Sequence, residues 1–105
     1  MNRKLLSKRN RPRLRVFRSR KHIYAQVIDN STNTTLAASS SLSKQLKNFI
    51  TSSKTCKAAT IVGQDIGNKL KDQGITQVIF DRGNKIYHGR IRALAEATRI
   101  TGINF

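Results

Sequence analysis

Acidic residues are scarce: five, against 21 Lys and Arg, in a chain of 105 residues. The formal charge is therefore +16. A surface so dominated by one sign repels itself, and it is expected to lie against a polyanion. Nucleic acid is the first such partner and an anionic membrane the second. Cysteine is nearly absent. Cys56 stands alone, which excludes an intramolecular disulfide framework and a cysteine-clustered zinc site. It reads as a reduced thiol near the start of a helix. The two histidines, His22 and His88, have no companions at zinc-ligand spacing. No metal and no cofactor are expected. The chain has no 18-residue apolar run, which excludes a membrane-spanning helix. Its opening, MNRKLLSKRNRPRL, lacks the apolar centre of a secretory signal. A transit peptide would be longer and richer in Ser, so the chain is expected to be used as translated.

Catalytic groups are equally sparse. The acids are Asp29, Asp65, Asp72, Asp81 and Glu96. A two-metal nuclease needs carboxylates that hold two ions about 4 Å apart. Asp81, at a strand end, is the best single candidate, with Asp29 as the residue to join it. Asp81 beside Arg82 is expected instead to fix a turn, by an ion pair or an Asx bond. No Gly-rich loop carries the phosphate-binding spacing with its Lys and Ser/Thr. No enzyme activity is expected.

What the chain has in excess is positive charge at one end. The first 21 residues hold ten bases and no acid: Arg3, Lys4, Lys8, Arg9, Arg11, Arg13, Arg15, Arg18, Arg20 and Lys21. Seven of these ten are Arg. Arginine makes forked bonds to phosphate and stacks on bases, which lysine does not. Neutralising six to ten phosphates would make binding steeply dependent on salt. Phosphate contacts position a protein without choosing a sequence, so the arm alone would not discriminate.

The length gives one domain, and 37% hydrophobic residues suffice for a modest core. Residues 1–12 read as a basic arm, held loose by its own charge until a polyanion arrives, with Leu5 and Leu6 allowing one helical turn. Pro12 ends it and biases Arg11 toward an extended shape. Residues 13–105 read as the folded domain. RLRVFR (13–18) alternates as a strand, with Leu14 and Val16 on one face and Arg13, Arg15 and Phe17 on the other. IYAQVID (23–29) does the same, with Ile23, Ala25 and Val27 opposite Tyr24, Gln26 and Ile28. A third strand at 35–40 closes an antiparallel meander after the turn DNSTNT. Residues 41–55 read as a short helix or an ordered loop, around Leu42, Leu46, Phe49 and Ile50. From residue 56, Ala58, Val62, Ile66 and Leu70 form one helical stripe with Ala59 beside it. Gly63 and Gly67 lie inside that helix, where close packing on a sheet would explain them. Gly74 is placed to end it. A strand at 77–81, a turn at Arg82, Gly83 and Asn84, and a helix from about His88 to Thr101 complete the order. The last helix is striped by Ile91, Leu94, Ala95 and Thr98 and capped by Gly102, with Ile103 and Phe105 free to pack back.

The fold class expected is α/β in the α+β sense: a mixed β-sheet with a three-stranded antiparallel meander plus one parallel strand, helices packed on the sheet, and a basic N-terminal arm. Phe17, Tyr24 and Tyr87 are placed either to stack on unpaired bases or to pack in the core. His22, Tyr24 and Gln26 share one face of a strand, toward a polar surface. His88 begins a helix beside Gly89 and Arg90, where backbone N–H groups can receive a phosphate.

The run RPRLRVFRSRKHIYAQVID (11–29) resembles the opening of bacterial-type large-subunit ribosomal protein L18, the uL18 family. A second run, VIFDRGNKIYHGRIRALAEATRITGINF (78–105), resembles its end: a strand, an Asp-Arg-Gly turn, Tyr-His-Gly-Arg, and a helix closing on a Gly and an aromatic. The stretches 37–40 and 58–63 also fit, so the resemblance spans 11–105. It implies a structural protein that binds 5S ribosomal RNA and helps attach it to the large-subunit ribosomal RNA in the central protuberance. Ribosomal protein L5 is the implied neighbour; neither a membrane nor a homo-oligomer is expected. The implied RNA-facing residues are Arg11, Arg13, Arg15, Arg18, Ser19, Lys21, His22, Tyr24, Ser39, Ser40, Ser41, Arg82, Gly83, His88, Gly89 and Arg90. The arm adds Arg3, Lys4, Lys8 and Arg9. The chain departs from the bacterial pattern in its shorter arm, with ten residues before Arg11. That shortness, with the richness in Asn, Thr, Ile and Lys, favours a chloroplast ribosome, with a bacterial one as the alternative. The rival readings are an RNA-processing nuclease and a membrane-surface protein.

Overall fold

A computed structural model of the chain describes residues 11–46, 48, 55–83 and 86–105. The arm up to residue 10, Phe49, Ile50 and Asn84 therefore lie outside the described residues. The elements are β1 (Arg13–Arg18), β2 (Ile23–Asp29), β3 (Thr34–Ser40), α1 (Cys56–Asp72), β4 (Ile79–Asp81) and α2 (Gly89–Ile100). They form one four-stranded sheet in the order β3-β2-β1-β4. The first three strands pair antiparallel and β4 lies parallel to β1. Both the meander and the single parallel strand match the expected architecture.

The alternation read in the strands decides which face is covered. Leu14, Val16, Ile23, Ala25 and Val27 are all buried on the face that meets the helices. The intervening residues face away. Helix α1 lies over β2 and β3, α2 touches β1, and the two helices pack on each other. Thr55 caps α1, its hydroxyl accepting from the Ala58 N–H at 3.1 Å. Such a cap contributes about 1 kcal/mol. At the other end Gly74, with φ +75°, takes the left-handed conformation that lets the Ile75 N–H reach back to the Leu70 carbonyl at 2.9 Å.

Gly63 and Gly67 answer to a different neighbour from the one expected. They face α2, not the sheet. A methyl group built on Gly63 would run into the Leu94 carbonyl oxygen and come within 2.9 Å of Ala97 Cβ. One on Gly67 would meet the Thr101 side chain. The bare backbone also leaves the Gly63 carbonyl within 3.1 Å of the buried Thr98 hydroxyl. Residues 63 and 67 face 94–98 and 101 respectively, so the two helices run side by side in the same direction.

The strand expected at 77–81 is shorter than its apolar run. Only Ile79–Asp81 pairs with β1. Gln77 bridges Asn104 instead, and the Val78 N–H donates to the Asn104 carbonyl at 3.1 Å. The C-terminal tail takes the place of a longer ladder, and Ile103 is buried by it. The other sheet edge is closed by side chains of α1. Lys69 Nζ donates to the Ala38 carbonyl at 2.8 Å and Gln73 Nε2 to the Leu36 carbonyl at 2.7 Å. Edge carbonyls held this way cannot template another strand. Residues 41–46 form tight turns, with Leu46 buried in the core and Leu42 exposed.

Candidate nucleic-acid interface

Topology gathers the loops. β1 runs toward Arg18, β3 toward Ser40, and β4, parallel to β1, toward Asp81. All three point to the same edge of the domain, β1 and β3 ending there together and β4 stopping opposite Arg15, with Arg82 and Gly83 following. The order of the Lys69 and Gln73 contacts along β3 shows that α1 runs antiparallel to that strand. It therefore starts at this edge too, as does α2 beside it. Three loops and two helix N-termini, each with the partial positive charge of unpaired N–H groups, meet at one place.

Local bonds hold that edge in shape. The Ser19 N–H donates to the His22 carbonyl at 2.9 Å, and the His22 N–H to Ser19 Oγ at 3.2 Å, closing the β1–β2 turn. Ser41 Oγ accepts from the Ile23 N–H at 3.1 Å and lies 3.0 Å from His22 Nδ1, which ties the end of β3 to that turn. Arg90 Nη2 donates to the Ser19 carbonyl at 3.3 Å, linking the start of α2 to the same turn. Around this frame Arg18, Arg20 and Lys21 are exposed.

The third loop is set by Asp81. Its Oδ1 accepts from the Gly83 N–H at 2.9 Å in an Asx turn, and Gly83 adopts φ +62°. Its Oδ2 lies 3.4 Å from Arg13 Nε, so the ion pair is with Arg13 and not with the adjacent Arg82. The Arg82 guanidinium lies 5.7 Å from the Tyr87 ring centroid. Tyr87 is committed to the structure: its hydroxyl donates to Glu96 Oε2 at 3.2 Å and accepts from Arg99 Nη1 at 3.0 Å, and its ring meets Phe80 edge-on. His88 is exposed at the N-cap of α2 with no side-chain cap bond, followed by Gly89 at φ +57°.

None of the five acids opposes the charge of this edge freely. Asp65 pairs with Lys69 at 3.1 Å and Glu96 with Arg99 at 3.6 Å, both part-way along their helices. Asp72 ends α1 at the far side. Asp29 sits in the opposite turn, where the Ser31 N–H and hydroxyl donate to it and hold its carboxyl below the usual value. Asp81 is held by Arg13 and the Gly83 N–H. Among the described residues no group of three His, Cys, Asp or Glu could hold a metal ion, and no helix is long and apolar enough to cross a membrane. Asp81 and Asp29 sit on strands separated by β1 and each is held by its own turn, so the pair that a nuclease would need does not form.

The outward face of the sheet carries a second group. Arg13, Arg15 and Phe17 of β1 stand beside Tyr24 and Gln26 of β2. Phe17 and Tyr24, opposite each other in the ladder, stack with centroids 4.9 Å apart. Neither lies in the core.

Of the residues implied by the resemblance, the structure brings Arg18, Ser19, Lys21, His22, Ser40, Ser41, Arg82, Gly83, His88, Gly89 and Arg90 to one edge. Arg13, Arg15 and Tyr24 lie on the adjoining open face. Arg11 does not join them. Its carbonyl accepts from Asn30 at the far end of β1, roughly 20 Å or more away along the strand. Ser39 is buried at 5% exposure on the helix-facing side, and Ser41 at 7% gives its hydroxyl to the turn. Both are structural side chains, because β3 alternates and only Ser40 of the three faces out. Arg3, Lys4, Lys8 and Arg9 lie outside the described residues. The same edge holds two cations that the motifs did not mark. Arg20 is exposed in the β1–β2 turn, and Lys57 is exposed in the first turn of α1. Their nearness to the site follows from helix direction, which no sequence pattern shows.

The comparisons agree over the whole chain. The family model of ribosomal L18 of archaea, bacteria, mitochondria and chloroplast matches residues 1–105. Large ribosomal subunit protein uL18c of Cyanophora paradoxa is 56% identical over 106 residues, covering 100% of this chain and 88% of its own. The uL18c protein of Gracilaria tenuistipitata var. liui is 56% identical over 108 residues, with 100% of both chains covered. Large ribosomal subunit protein uL18 of Prochlorococcus marinus (strain NATL1A) is 50% identical, covering 100% of this chain and 87% of its own. The fold, the cation-rich edge and these matches converge on one conclusion: the chain belongs to the ribosomal protein L18 family of the large ribosomal subunit.

Proposed function

We propose that this structural, non-enzymatic constituent of the large ribosomal subunit binds 5S ribosomal RNA through the edge to which β1, β3 and β4 point. One observation carries the reading: three loops and two helix starts meet there with exposed Arg and Lys, and the only nearby carboxylate is already engaged. Such a preshaped basic surface suits folded RNA, which is read through shape, phosphates and 2′-hydroxyls. The basic arm extends the contact to the large-subunit ribosomal RNA. The complex sits in the central protuberance with ribosomal protein L5 as neighbour. The uL18c relatives favour a chloroplast ribosome as its home, with the cyanobacterial proteins marking the bacterial alternative.

Arg82 and Arg90 separate binding from folding. Arg82→Glu is expected to weaken 5S RNA binding about tenfold or more and to flatten the salt dependence by about one unit, with the melting temperature unchanged. Arg90→Glu is expected to lose affinity and also to loosen the turn, since it removes the bond to Ser19. Filter binding across a salt series reads both. Unchanged affinity in the two variants would remove this edge from the interface.

A further inference from the structure

The open face of the sheet holds a hollow of about 260 Å³ over β2 and β3, lined by Phe17, Tyr24, Gln26, Ala38 and Ser40 and reaching Lys69 at the rim. The geometry points to a pocket for one unpaired nucleobase, stacked on the Tyr24 ring. The inference rests on the RNA-binding reading above and adds to it an element that binds a base where the rest of the surface binds phosphate.

The pocket is the vacant end of a column. The Arg15 guanidinium lies 5.2 Å from the Phe17 centroid, and Phe17 lies 4.9 Å from Tyr24 at an interplanar angle of 12°. The next position across the sheet, opposite Tyr24 on β3, is Ser40, and Ala38 lies opposite Gln26. Two small side chains thus follow two stacked rings, and the column stops at Tyr24 with room beside it. Every nucleobase has a flat face that can continue such a stack. The volume falls below the roughly 300–1,000 Å³ of drug-sized pockets, the scale for a single base and not a longer segment.

The polar groups around the hollow suit a base edge. Gln26 stands on the same face as Tyr24, and its side-chain amide, with one acceptor and two donors, has no hydrogen-bond partner among the described residues. Ser40 Oγ accepts from the Leu42 N–H at 2.9 Å, which leaves its own proton to donate. The one cation lining the rim among the described residues is already committed: Lys69 pairs with Asp65 at 3.1 Å and donates to the Ala38 carbonyl. Among the described residues that line the hollow a bare phosphate would find no uncommitted cation, whereas a neutral ring finds a stacking surface and an amide.

The chain contains no Trp and two Tyr, so tyrosine emission reports on the pocket. In full-length Tyr87→Phe, which keeps the ring against Phe80 and drops only the hydroxyl, Tyr24 is the sole emitter. A single-stranded RNA oligonucleotide is expected to quench most of that emission, and polyphosphate of equal charge to bind without quenching. In the otherwise native chain, Tyr24→Leu is expected to lower affinity for matched 5S RNA about 5- to 150-fold at an unchanged salt slope, while Tyr24→Phe keeps it. Circular dichroism of each variant confirms the fold. Equal quenching by polyphosphate, or native 5S affinity in Tyr24→Leu, would overturn the pocket while leaving the 5S reading in place. A native chain with no preference for 5S RNA would overturn that reading, and the oligonucleotide arm would still decide the pocket.

Discussion

Replacing Arg3, Lys4, Lys8 and Arg9 together by Gln is expected to weaken binding to 5S ribosomal RNA joined to its large-subunit partner by about a hundredfold or more near 0.1 M salt. Each phosphate neutralised by a cation contributes about 0.7–0.9 to the slope of log affinity against log salt. Four such contacts give a slope change of about three, and at 0.1 M that corresponds to about two to three orders of magnitude. The folded domain should be untouched, because the described core begins at Leu14. The expected signature is therefore a large loss of affinity, a flatter salt series and an unchanged melting temperature. An unaltered slope would show that these four cations meet no phosphate.

Gly63→Ala tests the packing that aims the site. Alanine gains about 1 kcal/mol of helix propensity over glycine. Here the gain is outweighed, since the new methyl collides with the Leu94 carbonyl, a backbone atom that cannot swing away. Overpacking of this kind costs about 1–3 kcal/mol and sometimes more. The helices must part, and the Thr98 hydroxyl loses its approach to the Gly63 carbonyl. We expect thermal unfolding to drop by roughly 4–8 °C for each kcal/mol lost. A variant as stable as the native chain would mean that α1 and α2 can slide apart freely, and the rigid placement of the α2 start at the basic edge would have to be given up.

Much of this architecture was legible before the structure. The alternation of Leu14 and Val16, and of Ile23, Ala25 and Val27, named the buried face of each strand correctly because one face of the sheet is covered and the other open. The four-residue stripe of α1 named its buried side for the same reason. Other features depend on partners distant in sequence. Gly63 and Gly67 signalled a close approach without saying to what, and the answer lay 31 or more residues away in α2. The apolar run at 77–81 could not reveal that Asn104 would take part of its pairing. Phe17 reads more as core than as surface and Tyr24 as either, and the ladder register corrects the first by placing them opposite each other on the open face.

The candidate site divides in the same way. Its cations are visible as a charge run, and the motifs around residues 82 and 88–90 mark loops that the structure brings toward this edge. Their convergence is not visible, since beyond the parallel strand it requires both helices to start at one edge beside the β1–β2 turn. Ser39 and Ser41 show the limit from the other side. A serine run looks polar and accessible, yet strand alternation turns Ser39 inward and the β1–β2 turn claims the Ser41 hydroxyl.

The most direct test is a competition titration: the full chain, matched 5S ribosomal RNA across a salt series, and unrelated structured RNA and tRNA as competitors. The account predicts tight, salt-sensitive binding to 5S RNA that survives an excess of either competitor, because a preshaped edge and an open face fit one folded RNA better than others. Equal affinity for all three RNAs would contradict it, and would leave a chain that binds by charge alone.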